Sequence, residues 1–352
     1  MDDVTVLITG AGAPGIKGTL YSLKNNFDCR GIRTIGVDIR ADVVGKYLCD
    51  SFYQIPKPSD ESFISSLLDI CNKEKVDVIL PQVTDELPQL SSHRIDFERI
   101  GTNVAISNKE AIEISNNKYE LLKISKEIRL PTPEFYLVAN FDDLERRIEE
   151  LGWPKKPVVV KPPISSGMRG LRIVVESFDR RTSFYTEKPS AVFLNREELR
   201  SILGHLFPKL LVMKFLPGKE YSVDLLTANE TTVIPRSRDV IRTGITFGGT
   251  VEKNEEIIKY SRSLGKRLGL EYAYGFQFKL DENNVPKVIE CNPRIQGTMV
   301  LSTLAGANIM YGAVKHALVE KLPKFKIKWG TRLLRYWGGV GIQGGKILRE
   351  IL

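Results

Sequence analysis

The stretch Tyr274–Thr298, YGFQFKLDENNVPKVIECNPRIQGT, constrains the fold more than any other part of the chain. Two short apolar runs flank the polar segment Asp281–Asn284, which reads as a turn joining two strands. Val288 and Ile289 give the second strand its β-branched core residues. Glu290 and Asn292 lie two apart near its end, so an extended backbone projects both from one face. Folding at the turn brings Gln277, on the first strand, alongside them. Three oxygen-bearing side chains then converge, with Arg294 just beyond. Such a set suits a hard cation such as Mg²⁺, which takes one or two carboxylates together with nucleotide phosphates. For one Glu-x-Asn pair alone, the plainer reading is a hairpin whose polar residues face water.

The chain before it alternates strands and helices. Residues 3–10, DVTVLITG, form an apolar strand that runs into GAGAPGIKG and a helical pattern from Thr19 through Leu23. RTIGVDIR is a second strand ending near Asp38. Gly10, Gly12 and Gly15 fit G-x-G-x-x-G, a spacing that lets a pyrophosphate approach a helix N-terminus. The same glycines also serve a tight β-to-α turn for steric reasons alone. Phe63 to Cys71 reads as a helix and VDVILPQV as a buried parallel strand. Asp85 and Glu86 follow at its C-terminal end, where open α/β sheets bind ligands. Glu86 is therefore a candidate contact for an amine-bearing acceptor, the alternative being an acidic first turn of a helix. GTNVAIS closes this first domain near Ser107.

A helical run from Lys109 to Arg129 stops before Pro131. PTPEFYLV gives a strand and FDDLERRIEELGWP a helix. Val158 to Val160 form a strand that ends at Lys161; two prolines break the pairing, and Ser165, Ser166, Gly167 and Gly170 make a flexible loop. Such a loop can lay backbone N–H groups on phosphates. Lys161 would supply a point charge there and Arg169 a second positive group. The order G-x-x-x-x-G-K-[ST] of a Walker loop is absent. Residues 178–190 read as an irregular polar insertion, followed by a helix from Arg196 through Phe207. LLVMKFLPGKEYSVDLLT reads as strand, turn and strand. Arg236, Arg238 and Arg242 are evenly spaced, so one strand face would carry all three. Like charges so placed repel unless an anion sits among them. Forked guanidinium groups suit an acceptor carboxylate or an acyl phosphate, whereas a charged edge strand would be the structural alternative. Gly244, Gly248 and Gly249 make a mobile loop nearby. Glu255 to Leu268 is an amphipathic helix, NIMYGAVKHALVEKL a further one, and the basic tail from Lys324 a terminal strand with a loose end.

Composition excludes several classes. With 352 residues and 42% hydrophobic content the chain can build two or three packed domains. Its net charge of +8 is spread, without an aromatic–basic stripe, so no nucleic-acid partner is expected. No apolar run of about 18 residues predicts a membrane span, and MDDVTVLITG does not read as a signal peptide. Cys29, Cys49, Cys71 and Cys291 are scattered, as expected of reduced thiols in the cytoplasm. His93, His205 and His316 are too far apart to suggest a zinc site.

IECNPRIQG, preceded by GFQF at hairpin distance, closely resembles the metal-binding end of the ATP-grasp fold. The nearest likeness is to the branch of the carbamoyl phosphate synthase large subunit. The resemblance runs from about residue 4 to about residue 320. It implies an α/β chain with a Rossmann-like pre-ATP-grasp domain over 1–108, followed by a two-lobed ATP-grasp α+β fold. The small lobe with the glycine-rich loop would cover 109–211, and the large lobe with the metal site and tail 212–352. It further implies that Gln277, Glu290 and Asn292 hold two Mg²⁺ ions on ATP, with Mn²⁺ an acceptable substitute, and that Arg294 meets the transferred phosphate. Lys118 and Lys161 would sit on the phosphates, under a lid of Ser165, Ser166 and Gly167. Met213, Lys214, Phe215 and Leu216 would grip adenine, and Glu220 the ribose. At the place of Lys214 the family commonly has an acid that accepts from the adenine amino group. A lysine cannot accept, which leaves backbone carbonyls to read the base.

These parts suit phosphoryl transfer, where positioning and charge neutralisation do most of the chemistry. The expectation is an ATP-dependent carboxylate–amine ligase acting through an acyl phosphate, with Lys161, Arg169 and Arg294 at the reacting centre and small carboxylate and amine substrates. A carboxy-phosphate or carbamoyl-phosphate synthase is the nearest alternative. A nucleotide-binding scaffold without catalysis and an NAD-dependent oxidoreductase built on the N-terminal glycines are the others. No membrane partner is expected, and a homodimer is the assembly to test for.

Overall fold

The computed structural model describes residues 2–351 except 166, 187–190 and 243. The chain divides into two units. Unit 1 is Met1–Ser115, Glu220–Gln277 and Cys291–Leu352; unit 2 is Asn116–Lys219 and Phe278–Glu290.

Unit 1 begins with a parallel sheet of β1 (Val4–Ile8), β2 (Ile32–Asp38), β3 (Ser51–Gln54), β4 (Val78–Leu80) and β5 (Asn103–Val104). Its order is β3-β2-β1-β4-β5, so the direction of winding reverses between β1 and β4. The apolar runs VTVLI and VIL belong in such a sheet because helices cover both faces. Alternate side chains serve two cores. Val6, Ile8, Val78 and Leu80 pack with Ile16, Leu20 and Leu23 of the helix Ile16–Lys24. Leu7 and Ile79 pack with Phe63, Leu67 and Ile70 of the helix Phe63–Glu74.

Unit 2 holds a five-stranded sheet of β6 (Phe135–Asn140), β7 (Val158–Lys161), β8 (Arg172–Val174), β9 (Phe193–Leu194) and β10 (Leu206–Lys214), in the order β6-β10-β7-β8-β9. The helix Phe141–Glu150 lies on it because Phe141, Leu144 and Ile148 fall on one stripe and pack with Val138, Val158 and Val212. Asn140 starts that helix by accepting from Asp143 N at 2.8 Å.

Two further sheets follow. β11 (Glu220–Thr227), β12 (Thr231–Ser237), β15 (Tyr272–Leu280) and β16 (Pro286–Asn292) run in the order β12-β11-β15-β16; β13 (Val240–Arg242), β14 (Ile245–Thr250) and β17 (Arg332–Leu334) run β13-β14-β17. β15 and β16 are the two strands expected from the Gln277 and Glu290 segments, and the turn between them is tied by Asp281, which accepts from Asn283 N and Val285 N.

Several local expectations are corrected. The helical run over 109–129 is two helices, Lys109–Asn116 and Lys118–Glu127. Asn117 is extended, and its side chain accepts from Tyr119 N and Glu120 N, so it restarts the helix as an N-cap. The polar insertion contains a helix, Arg180–Thr186, although 187–190 lie outside the described residues. The helix from Arg196 ends at Leu203, because Gly204 turns the chain with φ +67°, and Leu206 and Phe207 already belong to β10. The tail does not end loosely. β18 (Gly339–Gln343) and β19 (Lys346–Ile351) form a hairpin around Gly344 and Gly345, whose φ of +58° and +76° are what a two-residue turn requires. Among the described residues no helix is long and apolar enough to cross a membrane.

Candidate active site

In unit 2 the two lysines predicted for the phosphates both meet the glycine-rich loop or its neighbourhood. The β-branched run of β7 carries Lys161 to its end, where the side chain is 5% exposed and Nζ donates to Ile289 O at 3.3 Å. Lys118 follows the Asn117 cap directly. Its backbone N donates to Pro163 O at 2.8 Å and its Nζ to Ser165 O at 2.7 Å. Lys118 is 4% exposed, and among the described residues no carboxylate pairs with it. A buried ammonium held only by neutral oxygens is costly, so the site suits an anion. The loop itself is bent by Gly167, Met168 and Gly170, with φ of +62°, +62° and +74°. Arg169 is exposed within it, and Ser166 lies outside the described residues.

The expected adenine hinge is the end of β10. Met213 is buried and pairs with Phe135 and Val159. Lys214 N donates to Glu134 O at 2.9 Å, while its Nζ pairs with Glu282 at 2.6 Å. The lysine that replaces the usual acid is thus neutralised by a carboxylate from the β15–β16 turn, a partner that sequence spacing gave no means to choose. Phe215 lies under Lys279, 5.2 Å from its ring centroid, and Leu216 is buried.

In unit 1 the arginine row does not form. β12 stops at Ser237 and β13 starts at Val240, so no single strand face carries Arg236, Arg238 and Arg242. Arg236 is 1% exposed and pairs with Asp224 at 2.9 Å. Arg238 pairs with Glu220, the residue expected at the ribose, and donates to Thr246 Oγ1. Arg242 is exposed and lies over Phe247. Alternation over even positions fails here because internal acids claim two of the three side chains.

The glycine turn after β1 is packed from within. Gly12 N donates to Asp38 Oδ2 at 2.7 Å, and Asp38 Oδ1 accepts from Arg40 N at 3.0 Å, so the acid is committed to the turn. A Cβ on Gly15 would sit 2.8 Å from the Gly297 Cα. These contacts support the structural reading of the glycines. Glu86 is buried at the β1/β4 reversal. Its Oε1 accepts from the Thr9 hydroxyl and from Val83 N and Gln82 N. Burial pushes its carboxyl up to about 7, against these donors and the Arg294 charge, which favour ionisation. Arg294 donates to Thr84 Oγ1 at 2.9 Å and to Asn292 Oδ1 at 3.3 Å.

Gln277 lies on β15, and Glu290 and Asn292 on its neighbour β16. All three are half-buried. One carboxylate and two amide oxygens are hard donors, the chemistry that Mg²⁺ takes.

Two family models match the chain: "ATP-grasp in the biosynthetic pathway with Ter operon" over residues 206–333, and "PylC-like, N-terminal domain" over 6–105. Residues 206–333 therefore carry the ATP-grasp match. The chain's likeness to the carbamoyl phosphate synthase branch, expected from IECNPRIQG, is borne out. The carbamoyl phosphate synthase large chain of Clostridium acetobutylicum is 24% identical over 265 residues, covering 72% of this chain and 23% of that one. The chain thus spans about a quarter of that relative's length. Among solved structures, the ADP complex of purK, N5-carboxyaminoimidazole ribonucleotide synthetase, is similar with a TM-score of 0.69 at 16% identity, covering 93% of this chain and 80% of that one. The biotin carboxylase domain of the Hydrogenobacter thermophilus 2-oxoglutarate carboxylase, solved with MgADP and bicarbonate, is similar with a TM-score of 0.67 at 19% identity, covering 93% and 73%. At these identities the structural likeness carries the ATP-grasp fold.

Proposed function

We propose that this chain is an ATP- and Mg²⁺-dependent carboxylate–amine ligase that forms an amide or peptide-like bond through an acyl phosphate. The observation that carries the reading is Lys118, a buried ammonium set on the glycine-rich loop with neutral partners only among the described residues. Lys161, buried at the end of β7, adds a second positive charge in the same unit. Together they would bind the phosphates of ATP. Gln277, Glu290 and Asn292 would hold Mg²⁺, two ions in the fullest form and Mn²⁺ as a substitute; the metal would neutralise charge on the β- and γ-phosphates. Arg169 and Arg294 would stabilise the γ-phosphoryl group as a substrate carboxylate attacks it, with ADP leaving. The amine then attacks the acyl carbon, phosphate departs, and the amine proton passes to solvent. The described side chains offer no histidine base for this step, and a neutral amine attacking an acyl phosphate does not require one.

The match to a carbamoyl phosphate synthase large chain favours one second reading, in which bicarbonate is the carboxylate and carboxy phosphate the first product. One experiment separates the two. ADP release is measured with Mg·ATP across amino acids, other small carboxylic acids and bicarbonate, each with and without amines. Turnover that requires an organic carboxylate and disappears in Glu290→Gln supports the ligase. Bicarbonate-dependent turnover supports the second reading, and ADP release unaffected by Glu290→Gln removes both.

A further inference from the structure

Arg294 is held at each of its three side-chain nitrogens. Nη1 donates to Ile295 O at 2.8 Å and Nη2 to Asn292 Oδ1 at 3.3 Å, both on the segment that carries the arginine itself. Nε reaches much further along the chain. It donates to Thr84 Oγ1 at 2.9 Å, across 210 residues of sequence. Thr84, Asn292 and Arg294 all belong to unit 1.

Thr84 stands on a turn that is fixed from two sides. It opens the 3₁₀ turn Thr84–Glu86, a few residues after β4. Glu86 Oε1 ties that turn down by accepting from Gln82 N at 3.2 Å, from Val83 N at 3.0 Å and from the Thr9 hydroxyl just past β1. Val83 also packs closely on the glycine turn, since a Cβ on Gly10 would lie 2.5 Å from Val83 Cγ2. The Thr84 hydroxyl is therefore offered to Arg294 from backbone with little room to move.

A guanidinium is planar, so bonds at Nε and at both Nη nitrogens set its plane as well as its direction. The Nη2 bond has a second effect. A donor must meet the oxygen of the Asn292 amide, so the amide nitrogen is turned away. That oxygen has two lone pairs, and one remains for a hard cation. Partners behind a metal ligand orient it in this way.

We propose that Thr84 is a positioning residue that, by accepting from Nε, fixes the Arg294 guanidinium and through it the Asn292 amide. The anchor stands on unit 1 alone; its effect on rate rests on the ligase reading. The loop after β4 thereby acts on the reacting centre without touching substrate.

The test uses the full chain, labelled with nitrogen-15 arginine, and three variants. Thr84→Val keeps the branched shape and removes the hydroxyl, Thr84→Ser keeps the hydroxyl, and Arg294→Lys assigns the arginine's resonance by deleting it. A slowly exchanging Arg294 Nε–H resonance is expected in wild type and Thr84→Ser, and its loss in Thr84→Val. ADP release with Mg·ATP is measured on the same proteins. In Thr84→Val kcat should fall about ten- to a hundredfold, as a misplacement of about 1 Å can cause, with KM for Mg·ATP changed less than about threefold. Thr84→Ser should recover kcat to within about threefold of wild type. A protected resonance that survives in Thr84→Val overturns the anchor. An unchanged kcat despite loss of the resonance overturns the positioning role, as does equal impairment of Thr84→Val and Thr84→Ser, which would mark a packing effect. A wild type that releases no ADP with any carboxylate removes the ligase reading, and the resonance pattern then decides the anchor without it.

Discussion

Lys118 and Ser165 are 47 residues apart in sequence, and the lysine Nζ donates to the serine carbonyl at 2.7 Å. One residue is the first of a helix and the other stands in the loop after β7. The bond ties a buried ammonium to a segment bent by Gly167 and Gly170, with φ of +62° and +74°. On the proposed reading the charge would be in place before any anion arrives, which is how a preorganised electrostatic site avoids reorganisation cost.

The first prediction concerns that charge. Lys118→Met removes a buried ammonium without a carboxylate partner among the described residues, so the nucleotide-free chain should be no less stable and can gain. Stabilisation by Mg·ATP should fall, because a hydrogen bond to a charged group contributes about 1.5–3 kcal/mol. That corresponds to an affinity loss of roughly ten- to a hundredfold. Thermal unfolding with and without Mg·ATP measures both halves. Unchanged stabilisation by nucleotide would take Lys118 out of the phosphate site.

A second prediction separates the former arginine row into its parts. Asp224→Asn leaves Arg236 charged, 1% exposed and without its counter-ion. Breaking a buried pair from one side costs about 3–5 kcal/mol. Arg242→Ala removes an exposed side chain that lies over Phe247 and should change stability by about 0.5 kcal/mol or less. Urea unfolding of the two variants should therefore differ severalfold in the loss. Similar small losses in both would contradict the buried pair.

How much of this was legible in the sequence depends on how local the determining contact is. The strand carrying Glu290 and Asn292 could be read because β-branched residues and a polar turn are signals within about ten residues. Lys161 could be placed because prolines and glycines follow it directly. Arg236 could not. Its even spacing with Arg238 and Arg242 resembled a shared face, and only Asp224 and Glu220, on the partner strand, show that two of them are internally satisfied. Lys214 looked like a defect in the adenine hinge, and its partner Glu282 is 68 residues away. The tail hairpin is hidden for a different reason. Gly344 and Gly345 are a turn signal, but Gly338, Gly339 and Gly341 just before them blur it into one glycine-rich stretch.

The third prediction tests the structural role of the N-terminal glycines. Gly15→Ala would put a methyl group 2.8 Å from the Gly297 Cα, and backbone cannot swing aside as a side chain can. Overpacking of this kind costs about 1–3 kcal/mol. The strain falls on Gly297, the residue whose carbonyl accepts from Arg335. Thermal unfolding should show the loss without any nicotinamide cofactor present. NAD that stabilises wild type and not Gly15→Ala would instead revive a dinucleotide site at the turn.

The fourth prediction follows from Glu86. Its carboxyl has a usual value of 4.5 and is raised by burial to about 7 in the fold. Folding therefore takes up a proton between these values. The neutral form's contribution is fully present below about pH 4.5 and is lost as pH rises through about 7. Each pH unit in that interval is worth about 1.4 kcal/mol, so the whole change is on the order of 3 kcal/mol. The bonds from Thr9, Val83 and Gln82, and the charge of Arg294, pull the other way and are already contained in that value. Glu86→Gln keeps an oxygen to accept from Thr9 and cannot ionise. Urea unfolding of both proteins at pH 5 and pH 8 gives the comparison. Wild type should lose stability relative to the variant between the two, by one to three kcal/mol on this scale. A difference that stays constant would mean that the donors around Oε1 hold Glu86 ionised throughout, and that it enters any reaction as a carboxylate.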